Sequence, residues 1–278
     1  MNNIENEDWD RFMRQGYLRL GRLLSRRDEE ELRQRIVAIM LGKSGLDTSR
    51  MLMQLDSETG SYADAPPQTL GFKGSTLNYR KIQDLERDPA YLRFMQHPVF
   101  RAACARAYGP ATPVAAYRAM FMNKPAGKGT VLPWHQDRWS QLDRDPLLTA
   151  WTALDPSTTR NGCVWIIPGS HKYGVINPDH GSGFLTPEQA EHHCPPQNAI
   201  PLEVEAGETV LLHNWLLHSS GVNSSMQSRR AFSVCYMEAA TVQRDTRRLA
   251  SRSVIFGAGA LSAPDAAPHT QVMAATTA

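Results

Sequence analysis

The sequence predicts a mainly β protein, an antiparallel sandwich or barrel, with helices gathered towards its N-terminus. Three features of the chain predict this fold. From Val114 onward, short apolar runs recur between Pro, Gly, Asn and Asp clusters, at 114–123, 149–154, 163–167, 209–213 and 232–238. No helical pattern separates them, as a doubly wound parallel sheet would require. Helical spacing is concentrated instead in the first 113 residues.

The elements follow in order. Residues 7–16 form an amphipathic helix with Trp9, Phe12 and Met13 on one face and Gly16 as its stop. Tyr17 to Leu20 reads as a brief strand. Ser25-Arg26-Arg27-Asp28 resembles a capping box and opens a helix to about Met40, with Leu32, Ile36 and Ile39 at helical spacing. Residues 42–75 are rich in Ser, Asp, Gly and Pro, which predicts a long loop; such loops often serve as active-site lids. Helices are expected near 89–95 and 99–108. A C-terminal helix is expected after residue 240, and the Ala-, Thr- and Pro-rich tail after Gly257 is expected to fray. The whole is read as one domain over 1–278: a mostly helical part with the lid at 1–113, a β core at 114–240, and the helix and tail at 241–278.

Composition narrows the function. The 278 residues carry 30 Lys plus Arg against 28 Asp plus Glu, a net charge of +2. That balance argues against nucleic acid as a partner. Hydrophobic residues at 41% and charged residues at 21% suit a soluble globular chain with a sizeable core and exclude chain-wide disorder. No apolar run approaches the roughly 18 residues of a membrane span. The acidic, polar start, Met1 to Glu7, lacks the features of a signal peptide. The four cysteines (Cys104, Cys163, Cys194, Cys235) are scattered without a Cys-x-x-Cys pair, and are read as reduced thiols of a cytoplasmic protein.

The chemistry concentrates in Trp134-His135-Gln136-Asp137 and in His218 far downstream. His135 and Asp137, two apart, point the same way on an extended segment and can face one metal. Two imidazoles and a carboxylate on one face of an octahedron are the donor set of non-haem Fe(II) oxygenases, with positions left open for a co-substrate and dioxygen. Arg229 precedes an apolar strand and offers the permanently charged fork that a chelating keto acid needs at its far carboxylate; Ser220 can add a hydroxyl.

These residues, with Asn161-Gly162-Cys163-Val164-Trp165-Ile166-Ile167-Pro168-Gly169-Ser170-His171-Lys172, carry a resemblance. The chain resembles the phytanoyl-CoA dioxygenase family of Fe(II)/2-oxoglutarate-dependent oxygenases, most closely over 114–238. The resemblance implies a double-stranded β-helix, also called a jelly roll or cupin-like barrel. It implies Fe(2+) held by His135, Asp137 and His218. It also implies 2-oxoglutarate held by Arg229 and Ser220, with Lys81 reaching the same co-substrate, and O2 as the second co-substrate. The implied reaction is hydroxylation of an unactivated carbon of a small molecule, releasing succinate and CO2. Arg160 stands where family members often carry an acid, read as a surface variation. A small residue in place of Asp137 would suggest halogenation, so the carboxylate favours oxygenation.

Alternatives stay open. The same site can serve desaturation, cyclisation, epoxidation or epimerisation; a cupin-like metal-binding sensor or a zinc hydrolase would share the ligands but have no use for Arg229. Arg138 and Trp139 are weighed equally as substrate contacts and as packing. His171 is read as a structural hydrogen-bonding residue, His213 as a core histidine, and His192-His193 as surface. Arg118, Lys124 and Lys128 are read as exposed strand and loop charges, in preference to a positive entrance for an acidic substrate, and Arg244, Arg247, Arg248 and Arg252 as a solvated helix face. The prime substrate and the oligomeric state are not legible.

Overall fold

The computed structural model of the chain describes residues 4–181, 183–251 and 253–262. It begins with helix α1 (Asn6–Gln15), strand β1 (Tyr17–Arg22) and helix α2 (Arg26–Met40). Gly16 stops α1 in the left-handed conformation at φ 78°. At α2, Ser25 Oγ accepts the Asp28 N–H at 3.1 Å and donates to the Asp28 carboxylate at 2.7 Å. The Asp side chain is therefore spent on the hydroxyl, and the box is only half made.

Strands β2 (Leu52–Leu55) and β3 (Thr69–Leu70) follow, then β4 (Tyr79–Ile82). They correct the expectation of a structureless loop over 42–75. Their four and two residues are too short to show a period, and they are strands because β2 pairs with β4, Met53 opposite Ile82. Helices α3 (Pro89–Met95) and α4 (Pro98–Tyr108) each start on a proline, whose missing N–H costs nothing there.

The β core comprises β5 (Val114–Lys124), β6 (Leu132–His135), β7 (Leu148–Ala153), β8 (Val164–Ile166), β9 (Ile200–Leu202), β10 (Glu208–His213), β11 (His218–Ser220), β12 (Arg229–Glu238) and β13 (Val254–Phe256). A short helix, α5 (Pro187–His193), sits between β8 and β9. The large sheet runs β1-β10-β7-β12-β5-β4-β2-β3, with β13 added beside β5; the small sheet runs β6-β11-β8-β9. Every pairing is antiparallel, and the fold is the expected jelly roll.

Period-2 alternation sorts the side chains of the large sheet. Phe232, Val234 and Tyr236 of β12 join Ala119 and Phe121 of β5 in a core shared with Phe12, Ile36, Tyr91 and Phe100 of the helices. Tyr91 meets Phe232 edge-on at 4.7 Å. Each fully buried aromatic or branched side chain there contributes about 1.5–3 kcal/mol. The alternate residues, Arg229, Ser233 and Cys235, face the other way and line a cavity between the sheets.

The region after residue 240 departs from expectation. Among the described residues there it holds no helix: an isolated bridge joins Val242 to Leu249, Arg247 takes a positive φ of 55°, and β13 returns to the large sheet. Arg244, Arg247 and Arg248 are exposed on that turn rather than on a helix face. The tail does not fray at once, because Leu261 N–H bonds Val254 and Gln96 Nε2 donates to Leu261 O; residues 263–278, and Arg252, lie outside the described residues.

Candidate active site

The small sheet builds one wall of the cavity. His218 of β11 is the direct register partner of His135 at the end of β6. Each imidazole Nδ1 lies 2.9 Å from the carbonyl two residues earlier, Pro133 O and Leu216 O. A carbonyl only accepts, so both Nδ1 atoms carry a proton, and both Nε2 atoms are turned towards Asp137. Those Nε2 atoms lie 3.9 and 3.8 Å from the two Asp137 oxygens. The candidate ligand atoms of all three residues fall within 4.8 Å of one another, a group that can hold one metal ion. Locking the far nitrogen of each ring in this way is what orients metal-binding histidines.

Gln136, between the two, faces away and is fully occupied. Its amide donates to Gly174 O and Trp215 O at 2.8 and 2.9 Å and accepts the Ile176 N–H at 3.0 Å. Asp137 N–H bonds Asn214 O at 2.7 Å. The Pro168-Gly169-Ser170-His171 turn is a clamp rather than a ligand. Gly169 N–H and His171 Nε2 reach the Gln15 and Met13 carbonyls at the end of α1. Ser170 Oγ accepts the Leu217 N–H, next to His218, at 2.9 Å. His213 packs against His171, with ring centroids 4.8 Å apart, and its Nδ1 accepts the Trp215 N–H. His192 and His193 end α5 away from the cavity.

Gly162 explains its half of the Asn-Gly motif. At φ 77°, a Cβ there would lie 2.7 Å from Gly221 O and 2.7 Å from Lys124 Cδ. Asn161 fastens the same turn by accepting the Thr158 N–H and donating to Pro156 O, while Arg160 is exposed beside it, the surface variation expected.

The cavity, of about 220 Å³, brings together His135, Asp137 and His218 with Lys81, Ser220, Arg229, Arg138 and Trp139. Arg229 is 2% exposed, and its Nε and Nη1 have no partner among the described residues. Leaving such donors unmet costs about 1–3 kcal/mol or more, so the site fits a carboxylate that the protein itself does not supply. The imidazole and carboxylate donor set likewise fits Fe(II).

Burial, then His218, push the His135 imidazole down to about 3, so it stays neutral and available. Burial alone would raise Asp137, but His218, His135, Arg118 and Lys81 together hold it below the usual carboxylate range. Burial, then Arg80 and Arg118, push Lys81 down to about 7.

Two corrections concern the cations. Arg118 is not an exposed strand charge; it lines the cavity with its guanidinium 4.8 Å over the Trp139 ring. Lys124 is 4% exposed and donates to Thr130 O. Both occupy alternate positions of β5 with Met120 and Met122, and that parity was the available signal. Lys128 is exposed as expected. Trp139 is both packing and wall: it is 5% exposed and meets Tyr117 edge-on. Sequence reading missed Trp151, which lines the cavity with no partner for its indole N–H among the described residues. It also missed Tyr62, from the 42–75 segment, whose ring lies 4.8 Å from Phe184, itself stacked 5.0 Å from His135.

Fold and cluster together define a jelly roll carrying a two-histidine, one-carboxylate group in the cavity lined by its two sheets. The chain matches the phytanoyl-CoA dioxygenase (PhyH) family over residues 12–231, and it belongs to that family. Among curated relatives, a phytanoyl-CoA dioxygenase of Arabidopsis thaliana is 31% identical over 154 residues, 55% of this chain and 54% of that protein. The chain thus spans about half the length of that relative. Among solved structures, EctD from S. alaskensis with bound Fe superposes with a TM-score of 0.66 at 19% identity, covering 87% of this chain and 79% of EctD. The non-heme alpha ketoglutarate dependent carbocyclase SnoK from nogalamycin biosynthesis gives 0.60 at 21% identity, covering 87% of each chain.

Proposed function

We propose that the protein is an Fe(II)- and 2-oxoglutarate-dependent dioxygenase that hydroxylates an unactivated carbon of a small anionic molecule. One observation carries this above all: His135, Asp137 and His218 share a cavity with Arg229, whose Nε and Nη1 have no hydrogen-bond partner among the described residues. His135, Asp137 and His218 are assigned to the metal, and Arg229, Ser220 and Lys81 to the keto acid. Bound together, the metal, 2-oxoglutarate and dioxygen supply the oxidising power that breaks a C–H bond, with succinate and CO2 released. The chain aims and shields. The proton held on each histidine Nδ1 keeps Nε2 free, Arg229 fixes the keto acid's direction, and Tyr62 with Phe184 closes the mouth against water as the lid.

The lining also supports the substrate's charge. Arg118, Arg138 and Arg229, with Lys81 only partly charged, share the cavity lining with one carboxylate among the described residues, Asp137. The two positive charges of Fe(II) and the two negative charges of 2-oxoglutarate cancel, so the positive excess persists for a third species. Arg118 and Arg138, beside Trp139, are assigned to its acidic group. Cyclisation is a second outcome from the same residues, supported by the likeness to a carbocyclase. A sensor or a zinc hydrolase leaves Arg229 unexplained. No helix among the described residues is long and apolar enough to cross a membrane. The four unpaired thiols support action in a reducing compartment, the cytoplasm.

Anaerobic addition of Fe(II) and then 2-oxoglutarate to the metal-free protein tests this function. A weak visible charge-transfer band that needs both additions is expected. Tight zinc binding with no such band would overturn the proposal.

A further inference from the structure

Strand pairing sets two buried cations side by side. Arg229 at the start of β12 is the direct register partner of Lys124 at the end of β5. Partners across an antiparallel pair share a face with their Cβ atoms about 5 Å apart, and like charges there are destabilising. Arg229 and Lys124 are 2% and 4% exposed, where an unneutralised charge is costly. Neither forms a salt bridge among the described residues, and the carboxylate of Asp56 is already spent on the Gly129 N–H, the Thr130 N–H and the Thr130 hydroxyl.

Lys124 and Arg229 nonetheless border one small hollow of about 20 Å³, together with Ser220. Lys124 uses one ammonium proton on Thr130 O, leaving two of its three donors. Its stem is held in place by neighbours that have no side chain: a Cβ at Gly129 would lie 2.8 Å from Lys124 Cβ, and one at Gly162 would lie 2.7 Å from Lys124 Cδ. The Asn-Gly turn thus leaves room for this lysine. Burial, then Arg229 and Arg80, push its ammonium down to about 6, a shift that an anion placed between the two side chains would reverse.

We infer that Lys124 is a second grip on the far carboxylate of 2-oxoglutarate, facing the same group as Arg229. This rests on the dioxygenase reading above. A carboxylate there meets the Arg229 fork with one edge and the lysine ammonium with a remaining lone pair, turning a repulsive pair into a bridged one.

Anaerobic titration of the Fe(II)-loaded full chain with 2-oxoglutarate and with 2-oxobutyrate tests it, both read by the charge-transfer band. The second acid has the same chelating end and lacks the far carboxylate. Lys124→Met is expected to weaken 2-oxoglutarate at least tenfold and to leave 2-oxobutyrate unchanged, while Lys124→Arg keeps most of the wild-type preference. Equal weakening of both acids by Lys124→Met, no weakening of either, or loss of the preference in Lys124→Arg would each overturn the inference. If Lys124→Met does not fold, the Lys124→Arg preference decides. Absence of a band for wild-type protein with either acid would instead overturn the dioxygenase reading itself.

Discussion

His135 and His218 stand directly opposite one another across β6 and β11, with ring centroids 4.0 Å apart. Backbone pairing alone brings them together, and each ring is oriented by a carbonyl of its own strand or the turn before it.

Removing one donor leaves two, and Asp137 faces both imidazoles. His135→Ala and Asp137→Ala are each expected to lower Fe(II) affinity by more than the roughly 10–100-fold seen when a mere supporting partner is lost. Metal content after dialysis checks this, and near-stoichiometric iron in either variant would count against the assignment.

Arg229→Ala is expected to spare the metal and weaken 2-oxoglutarate by more than tenfold. Truncating one member of a buried charged contact costs on the order of 2–5 kcal/mol. A calorimetric titration in which the 2-oxoglutarate affinity does not change would move that role to another cation.

Ser170→Ala removes the acceptor for the Leu217 N–H, leaving a buried donor unmet beside a candidate ligand. A loss of about 1–3 kcal/mol of stability is expected in urea unfolding. An unchanged midpoint would show that the Pro-Gly-Ser-His turn does not hold β11.

Acid is expected to destabilise the metal-free protein through His213. Burial, then His171, push its imidazole down to about 4 from an ordinary 6.5. The folded form is then neutral where the unfolded chain is protonated, so between pH 6.5 and 4 the unfolded state binds more protons. Stability is full above pH 6.5 and falls as the pH drops through that window, by up to about 3 kcal/mol from this group. His213→Asn keeps an acceptor for the Trp215 N–H and should flatten part of the decline. An identical decline in the variant would exonerate His213.

The chain made much of this legible, for local reasons. α1, α2 and α3 follow from caps, a proline start and helical spacing that act within a few residues. The His135-x-Asp137 pair stood out because residues two apart on an extended segment face one way; His218 and Arg229 were singled out by the apolar strands and small residues beside them and by the family resemblance. β2, β3 and β13 were illegible because a two- to four-residue strand exists only through its distant partner. Lys124 and Arg118 were misread because a charged side chain on a strand ordinarily marks the solvent face. Here Arg118 looks into the polar cavity and Lys124 into the small hollow beside Arg229, and the sign of the pattern is reversed.

β12 divides its residues strictly, with Phe232, Val234 and Tyr236 towards the helices and Arg229, Ser233 and Cys235 towards the cavity. Neighbouring positions in the chain therefore answer to different masters. Exchanging Ser233 alters the cavity wall and leaves the helix-facing residues in place, whereas Cys235 also accepts the Asn214 amide and packs with Trp139 and Leu142, so only one of the two can change without disturbing its neighbours.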